Sequence, residues 1–170
     1  MKRLIILGAT GSIGTSSLDV IDANPDHFSV AALTANRSSD RICELARRYR
    51  PEAVAMADEA AAGEVRSELG GGTDVYAGDD GILELIRNVN ADAVVNGLVG
   101  SSGMMPTLAA LENGRDVLLA NKESIVMGGA IVMETRRRTN GRIVPIDSEM
   151  SAIYQCLNGD RHRHVKRLIV

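Results

Sequence analysis

Aromatic side chains are almost absent from this chain of 170 residues, which has no tryptophan, one phenylalanine and three tyrosines. Its core must therefore be built from aliphatic side chains, and hydrophobic residues make up 45% of the sequence. Aliphatic cores are typical of parallel β-sheets that are covered on both faces. A chain of this length can bury one substantial core, which predicts one main domain.

Cysteines, long apolar runs and excess charge are also scarce. Cys43 and Cys156 are the two cysteines, and they fit no metal-binding spacing, which predicts reduced thiols in a cytoplasmic protein. The first apolar run stops at Gly8, too early for a signal-peptide core or a membrane span, so we expect no membrane partner. The net charge of −3 argues against nucleic-acid binding, and the basic segment 161–167 is interpreted as solvated.

Apolar runs alternate with amphipathic segments along the whole chain. This alternation predicts βαβ units, and hence an α/β fold with a doubly wound, mostly parallel sheet that carries helices on both faces. The predicted strands are residues 4–7, 28–33, 53–56, 93–95, 117–120 and 143–146, with a further short run at 74–76. The predicted helices are residues 12–22, 38–49, 59–69, 82–88, 104–112 and 123–139.

Two segments are relevant to the domain organisation: a run of three glycines and an apolar run at the end of the sequence. Three consecutive glycines at 70–72 follow a predicted helix and are interpreted as a surface turn rather than a linker. The last residues, 165–170, form a strand-like run with nothing after it to cover it. We therefore expect the chain to be a fragment of a longer protein.

A glycine loop follows the first predicted strand directly, with the sequence Gly8-Ala9-Thr10-Gly11-Ser12-Ile13-Gly14. Glycines here permit a tight turn and a close approach of the backbone to a pyrophosphate, which the N–H groups at a helix N-terminus bind. Thr10 and Ser12 add hydroxyl donors. The GxxGxxG spacing also fits a plain turn between strand and helix, but its position favours a Rossmann-type dinucleotide site.

The segment after the second predicted strand indicates which dinucleotide is bound. Proteins specific for NAD usually place an acidic residue there, on the ribose hydroxyls. This chain has Asn36, Arg37 and Ser38 instead, without a neighbouring carboxylate. An arginine can pair with the 2′-phosphate, so the sequence favours NADPH. The alternative is that Arg37 is a solvated residue before a helix capped by Ser38 or Ser39.

Lys122 stands at an unusual position, in the first turn of a predicted helix. Asn121 is a good N-cap and Glu123 suits the positive end of the helix dipole, whereas a lysine opposes it. A local rule broken at the carboxyl end of a strand suggests a function. We expect Lys122 to bind an anionic or carbonyl oxygen in the crevice, with simple solvent exposure as the alternative.

Two carboxylates follow the last predicted strand, in the segment Asp147-Ser148-Glu149. Two residues apart in an extended stretch, both side chains can point into one site, where their oxygens suit Mg²⁺ or Mn²⁺. Two ligands are too few for a closed metal site. The alternative is that the acids cap the next helix, which is predicted to run through Tyr154 and Leu157.

Together these motifs resemble the 1-deoxy-D-xylulose 5-phosphate reductoisomerase family. The resemblance spans nearly the whole chain and is carried by residues 8–14, 35–37, 96–97, 100–106, 118–124 and 145–149. It implies that NADPH is held by the glycine loop, including Gly8 and Gly14, and by Thr10, Gly11, Ser12, Ile13, Asn36, Arg37, Ser38, Asn121 and Glu123. It implies that Lys122 and Glu149 are catalytic, that Lys122, Ser148 and Glu149 bind substrate, and that Asp147 and Glu149 bind the metal.

The resemblance also implies a reaction: the conversion of 1-deoxy-D-xylulose 5-phosphate, a small phosphorylated sugar, to 2-C-methyl-D-erythritol 4-phosphate in non-mevalonate isoprenoid biosynthesis. Residues 1–150 would form the NADPH-binding domain and 151–170 the start of the next, in an enzyme that is homodimeric at full length. The family's remaining metal-binding and phosphate-binding groups lie beyond residue 170. We therefore expect this chain to bind NADPH and to be inactive alone.

Two departures and two alternatives remain open at this stage. Met150 stands where the family usually has histidine, and Ser38 where asparagine is common. The glycine loop and Arg37 also fit another NADP-dependent oxidoreductase of the semialdehyde or homoserine dehydrogenase type, which needs no metal. A non-enzymatic NADP-sensing module would explain a short chain but not Lys122.

Overall fold

The structure is a computed structural model and describes residues 1–157 and 165–167. Strands and helices alternate throughout the first of these ranges. The strands are β1 (Lys2–Leu7), β2 (Phe28–Ala35), β3 (Ala53–Met56), β4 (Asp74–Ala77), β5 (Ala93–Asn96), β6 (Asp116–Leu119) and β7 (Ile143–Pro145). The helices are α1 (Ser12–Ala23), α2 (Ser39–Tyr49), α3 (Glu59–Leu69), α4 (Gly78–Asn88), α5 (Met104–Glu112), α6 (Lys122–Arg138) and α7 (Ser148–Leu157).

The strands form one seven-stranded sheet in the order β4-β3-β2-β1-β5-β6-β7. Every neighbouring pair is parallel. Apolar residues of α1, α2 and α3 pack on one face of the sheet, and those of α4, α5 and α6 pack on the other. The predicted doubly wound, Rossmann-type α/β fold is confirmed.

Alternation along the central strand explains how both faces are filled. Leu4 and Ile6 of β1 contribute to the core beneath α1 to α3, whereas Ile5 and Leu7 contribute to the core beneath α4 to α6. All four side chains are buried, as expected for a parallel strand that is covered on both sides. The aliphatic composition of the sequence therefore corresponds to two thin cores, one on each face.

Several predicted boundaries shift in the structure. The run at 74–76 is the edge strand β4, α4 begins at Gly78 instead of residue 82, and α6 begins at Lys122 instead of Glu123. The three glycines form a short 3₁₀ turn, Gly70–Gly72, in agreement with the predicted turn. Most of the basic segment 161–167 and the end of the run 165–170 lie outside the described residues, and 165–167 have no regular secondary structure.

No helix in the described part of the chain is long and apolar enough to cross a membrane.

Arg115 gives a stability test of the face that carries α4. Its buried guanidinium donates hydrogen bonds to the backbone carbonyl oxygens of Ile86 and Val89, where α4 ends. Arg115→Met keeps the volume but leaves these carbonyls without their charged donor, so we expect the free energy of unfolding to fall by about 2–3 kcal/mol. Chemical denaturation measures the loss. Arg142→Met removes an exposed ion pair with Asp116 and should cost about 1 kcal/mol or less.

Candidate functional site

The sheet has its topological switch point between β1 and β5, where the chain turns from one half of the sheet to the other. In sheets of this type, ligands bind in the crevice outside the carboxyl ends of the strands at this point. The backbone N–H of Gly97 donates to the carbonyl oxygen of Leu7 at 3.2 Å, which joins the two strand ends. The floor of the crevice is therefore backbone that follows β1 and β5.

The glycine loop starts at this floor. Gly8 has a φ of +74°, and a Cβ there would lie 3.2 Å from the carbonyl oxygen of Gly97. At Gly14, a Cβ would lie 2.3 Å from the carbonyl oxygen of Gly8 and 2.5 Å from the Cα of Ala9. The first turn of α1 thus packs directly on the backbone of the loop, and only glycine at position 14 permits this close approach of helix and strand.

Two backbone donors lack an acceptor among the described residues where the loop enters α1. The N–H of Gly11 donates to the carbonyl oxygen of Gly8 at 3.0 Å, and the N–H of Thr15 to that of Gly11 at 2.9 Å. Between them, the N–H groups of Ser12 and Ile13 have no acceptor among the described residues. Thr10 is half-buried beside them, and Ser12 is exposed. This arrangement is suited to an anion at a helix N-terminus.

The end of β2 is held against the glycine loop. The N–H of Gly8 donates to Oγ1 of Thr34 at 3.1 Å, and the N–H of Ala9 to its carbonyl oxygen at 2.8 Å. The segment of Asn36, Arg37 and Ser38 follows immediately, and all three residues are exposed. The structure thus brings this segment beside the loop, and both lie at the carboxyl ends of their strands.

A carboxylate does lie next to Arg37, which corrects an expectation from the sequence. Nε of Arg37 donates to Oδ2 of Asp58 at 3.0 Å, and Oδ1 of Asp58 caps α3 by accepting from the N–H of Ala61 at 3.1 Å. The hydrogen bonds from Ala61 and Arg37 hold the pKa of Asp58 below its ordinary value. The segment after β2 gives no sign of Asp58 in the sequence, because Asp58 follows the neighbouring strand β3, 21 residues further along the chain.

The suggested serine cap of α2 is also absent. Ser38 occupies the N-cap position without a side-chain hydrogen bond to the helix, and the hydroxyl of Ser39 donates to Glu64 at 2.6 Å. The hydroxyl of Ser38 is therefore exposed beside Arg37.

Asn121 is a buried junction between α6 and the loop that follows β5. Its Oδ1 accepts from the N–H of Ser124 at 3.0 Å, which confirms the predicted N-cap. Its Nδ2 donates to the carbonyl oxygens of Leu98 at 3.0 Å and Gly100 at 2.9 Å. The side-chain amide is thus fully engaged within the protein, and only the backbone of Asn121 remains for a cofactor. Glu123, whose Oε2 is 3.2 Å from Nδ2, is half-buried beside it.

Lys122 and Glu149 meet across the ends of β6 and β7. Nζ of Lys122 lies 3.8 Å from Oε1 of Glu149, and the hydroxyl of Ser148 donates to Oε2 of Glu149 at 2.8 Å. The Ser148 hydroxyl, the residue's own N–H and then the Lys122 ammonium hold the pKa of Glu149 below its ordinary value. Glu149 is therefore ionised at neutral pH, as a metal ligand has to be.

The geometry of the acidic pair differs from the extended stretch expected from the sequence. Helix α7 begins at Ser148, so Glu149 lies in its first turn while Asp147 precedes it. Oδ2 of Asp147 is buried without a hydrogen-bond partner. A buried carboxylate oxygen without a donor is costly unless a cation pairs with it, so the donor set fits a divalent metal. Among the described residues, no cluster of three or more potential metal-binding side chains exists.

An apolar groove also runs along α1. It is lined by Ile13, Val20, Phe28 and Leu118 among others, and contains no charged side chain. It does not fit the phosphates of a dinucleotide, so the strand ends remain the candidate site.

The fold and this edge define a class: a doubly wound α/β domain with a glycine loop at its switch point, in which a lysine and two carboxylates lie at the carboxyl ends of the strands. The chain belongs to the 1-deoxy-D-xylulose 5-phosphate reductoisomerase family, whose model matches residues 4–129.

Individual relatives agree with this assignment. The 1-deoxy-D-xylulose 5-phosphate reductoisomerase of Geobacillus kaustophilus is 44% identical over all of this chain, which spans 44% of that protein. The enzyme of Zymomonas mobilis, solved in complex with NADPH, is 36% identical with a TM-score of 0.87, over 95% of this chain and 42% of that one. A reductoisomerase solved with NADPH, fosmidomycin and magnesium is 39% identical with a TM-score of 0.85, over 92% and 39%. The chain thus spans less than half the length of these relatives.

Proposed function

We propose that this chain is the NADPH-binding part of an NADPH-dependent and divalent-metal-dependent reductoisomerase. The whole enzyme, acting as a homodimer, would convert 1-deoxy-D-xylulose 5-phosphate to 2-C-methyl-D-erythritol 4-phosphate. Residues 1–150 would form the nucleotide domain and 151–170 the start of the next. One observation carries the proposal: the glycine loop, Arg37, Lys122 and the acidic pair all lie at the carboxyl ends of strands of one parallel sheet.

The cofactor would lie across the switch point. The free N–H groups of Ser12 and Ile13, with Gly11 and the hydroxyls of Thr10 and Ser12, would bind the pyrophosphate. Asn36, Arg37 and Ser38 would surround the 2′-phosphate. Asn121, through its backbone, and Glu123 would bind nearer the nicotinamide, which supplies hydride when NADPH is bound. That the Zymomonas relative was solved with NADPH supports this choice of cofactor.

Substrate and metal would bind beside β6 and β7. The unpaired oxygen of Asp147 and the ionised carboxylate of Glu149 would hold Mg²⁺ or Mn²⁺, which polarises substrate oxygens when bound. Lys122 and Ser148, both in contact with Glu149, would orient the substrate through an ammonium and a hydroxyl. Magnesium in a solved relative supports the metal assignment. Further ligands would come from the rest of the enzyme.

Replacing Arg37 tests the choice of NADPH over NADH. Arg37→Ala removes the cation in the segment directly after β2, so we expect the dissociation constant for NADPH to rise about 10- to 100-fold, as expected for a charge-assisted pair of about 1.5–3 kcal/mol. The affinity for NADH, which lacks the 2′-phosphate, should stay within about twofold. Calorimetric titration of both nucleotides measures the two effects.

Arg41 offers the matched control, since it is an exposed arginine on α2 that pairs with Glu44. Arg41→Ala should leave both affinities unchanged. Equal affinity of the unaltered chain for NADPH and NADH, or an Arg37→Ala variant with full preference, would contradict the assignment of the 2′-phosphate site.

Replacing Asp147 tests the metal-dependent reaction in the full-length protein. Asp147→Asn replaces the carboxylate whose Oδ2 is buried without a hydrogen-bond partner, and we expect turnover of 1-deoxy-D-xylulose 5-phosphate at a fixed Mg²⁺ concentration to fall at least about 100-fold, equivalent to about 2.7 kcal/mol of transition-state stabilisation. The metal concentration needed for half-maximal rate should rise. Initial rates over a Mg²⁺ series measure both.

The control is Asp79→Asn, which neutralises an exposed acid in the first turn of α4 and should change neither value. Absence of this turnover in the full-length protein, together with metal-independent and NADP-dependent turnover of homoserine, would instead favour a dehydrogenase of the homoserine type. Turnover by residues 1–170 alone at the full rate would contradict the proposal that further groups of the enzyme are required.

A further inference from the structure

Asp58 binds two partners at once in the loop that follows β3. One carboxylate oxygen accepts from the N–H of Ala61 at 3.1 Å, and the other from Nε of Arg37 at 3.0 Å. The loop itself is fixed to the end of β2, because the N–H of Ala57 donates to Ala35 at 3.0 Å and that of Asp58 to Asn36 at 3.2 Å. The N–H of Ala61 thus holds the carboxylate of Asp58, and the end of β2 holds its backbone.

The two side chains differ in their freedom. Arg37 is 80% exposed at its side chain, whereas that of Asp58 is 27% exposed. An exposed arginine without a partner samples many rotamers, and binding a phosphate then costs the loss of that freedom. Asp58 is already ordered by its cap of α3, so its hydrogen bond can order Arg37 before a ligand arrives.

The hydrogen bond leaves the useful end of the guanidinium open. Asp58 engages Nε, and no acceptor among the described residues contacts the two terminal nitrogens of Arg37. Two terminal nitrogens are sufficient for a bidentate contact with a phosphate.

We propose that Asp58 is a positioning residue for Arg37 and thereby a determinant of the preference for NADPH over NADH. The proposal rests on the function proposed above for Arg37. It assigns to Asp58 no direct contact with the nucleotide: Asp58 orders the guanidinium, and the guanidinium binds the 2′-phosphate.

The test uses Asp58→Asn and Asp58→Ser, because asparagine and serine cap helices as well as aspartate does and should keep α3 intact. Neither can hold Nε as the carboxylate does. We expect the dissociation constant for NADPH to rise about fivefold, the effect of losing an interaction at the upper end of the range for exposed ion pairs, with that for NADH unchanged. Calorimetry with NADPH and NADH gives both constants.

A double-mutant cycle with Arg37→Ala distinguishes positioning from an independent effect. If Asp58 acts through Arg37, Asp58→Asn has no further effect on NADPH affinity once Arg37 is alanine. The matched control is Asp116→Asn, which also removes a carboxylate that accepts from one backbone N–H and one arginine side chain. Asp116 lies at the start of β6, at the end of the sheet opposite to the proposed site. This control should leave both affinities unchanged.

Three results would show that Asp58 acts in a way other than the one inferred. Tighter NADPH binding by Asp58→Asn would make Asp58 a repelling charge, equal losses for NADPH and NADH would make it a purely structural residue, and an equal loss in the Arg37→Ala background would make it independent of Arg37. If the unaltered chain bound NADPH no more tightly than NADH, by contrast, the proposed function itself would be wrong. If Arg37→Ala abolished the preference for NADPH but both Asp58 variants kept it, only the inference about Asp58 would be wrong.

Discussion

Among single replacements of glycine by alanine in this chain, Gly14→Ala is expected to disrupt the glycine loop most. Its Cβ would lie 2.3 Å from the carbonyl oxygen of Gly8 and 2.5 Å from the Cα of Ala9, both backbone atoms that no side-chain rotation can move. Overpacking of this kind costs about 1–3 kcal/mol of stability. Because α1 must then move away from the loop, we expect NADPH affinity to fall about 100-fold or more, equivalent to about 2.7 kcal/mol.

Gly63→Ala is the matched control for this prediction. Gly63 lies within α3, and a Cβ there meets nothing within 4 Å. Alanine should therefore stabilise the helix by about 0.5–1 kcal/mol and leave binding unchanged. Thermal unfolding and calorimetry on both variants give the comparison. A Gly14→Ala variant that binds NADPH as tightly as the unaltered chain would show that the loop does not need this close packing.

Asn121→Ala is expected to have the largest effect on stability of the predicted replacements. It removes the N-cap of α6, worth about 1 kcal/mol, and it leaves the carbonyl oxygens of Leu98 and Gly100 without their donor. The two carbonyl groups are only partly buried, so each should cost about 1–1.5 kcal/mol, near the lower end of the range for unsatisfied groups, and we expect a total loss of about 3–4 kcal/mol. Urea denaturation measures it, and that loss is a large part of the stability of an ordinary domain.

Asn113→Ala serves as the control, because Asn113 is exposed and makes one side-chain hydrogen bond, to the carbonyl oxygen of Ala109 at 2.8 Å. Its loss should cost about 1 kcal/mol or less. If Asn121→Ala were no more destabilising than this, Asn121 would be free for direct binding of the cofactor and its structural assignment would be wrong.

Local patterns were sufficient to predict the fold and the glycine loop. The strands β1, β3 and β5 are short aliphatic runs, and buried parallel strands need such runs regardless of what lies next to them. The loop was predictable for the same reason: a Cβ at Gly14 would meet the backbone of Gly8 and Ala9, all within the same seven residues of chain. The edge strand β4 was harder to assign because its burial is only partial.

Contacts between distant segments could not be read from the sequence. Asp58 lies 21 residues from Arg37, and only the pairing of β2 with β3 brings them together. The geometry of Asp147 and Glu149 was predicted wrongly because the start of α7 at Ser148 depends on where β7 ends. The cap at Asn121 was predicted, but its two bonds to the loop after β5 depend on the pairing of β5 with β6.

These cases share one physical cause. Hydrophobic periodicity and turn chemistry act over a few residues, whereas the polar contacts of the site form between loops that the sheet brings side by side. Residues that follow neighbouring strands of a parallel sheet should therefore be considered together when a site is predicted. Applied to β2 and β3, this rule would have paired Arg37 with Asp58.

A crystal structure of residues 1–170 with NADPH tests the central claim most directly. We predict the pyrophosphate at the N–H groups of Ser12 and Ile13, the 2′-phosphate at the terminal nitrogens of Arg37, and the nicotinamide towards the loop that follows β5, on the side of Lys122. NADPH bound in the apolar groove along α1, at the amino ends of the strands, or with its 2′-phosphate away from Arg37 would contradict the account.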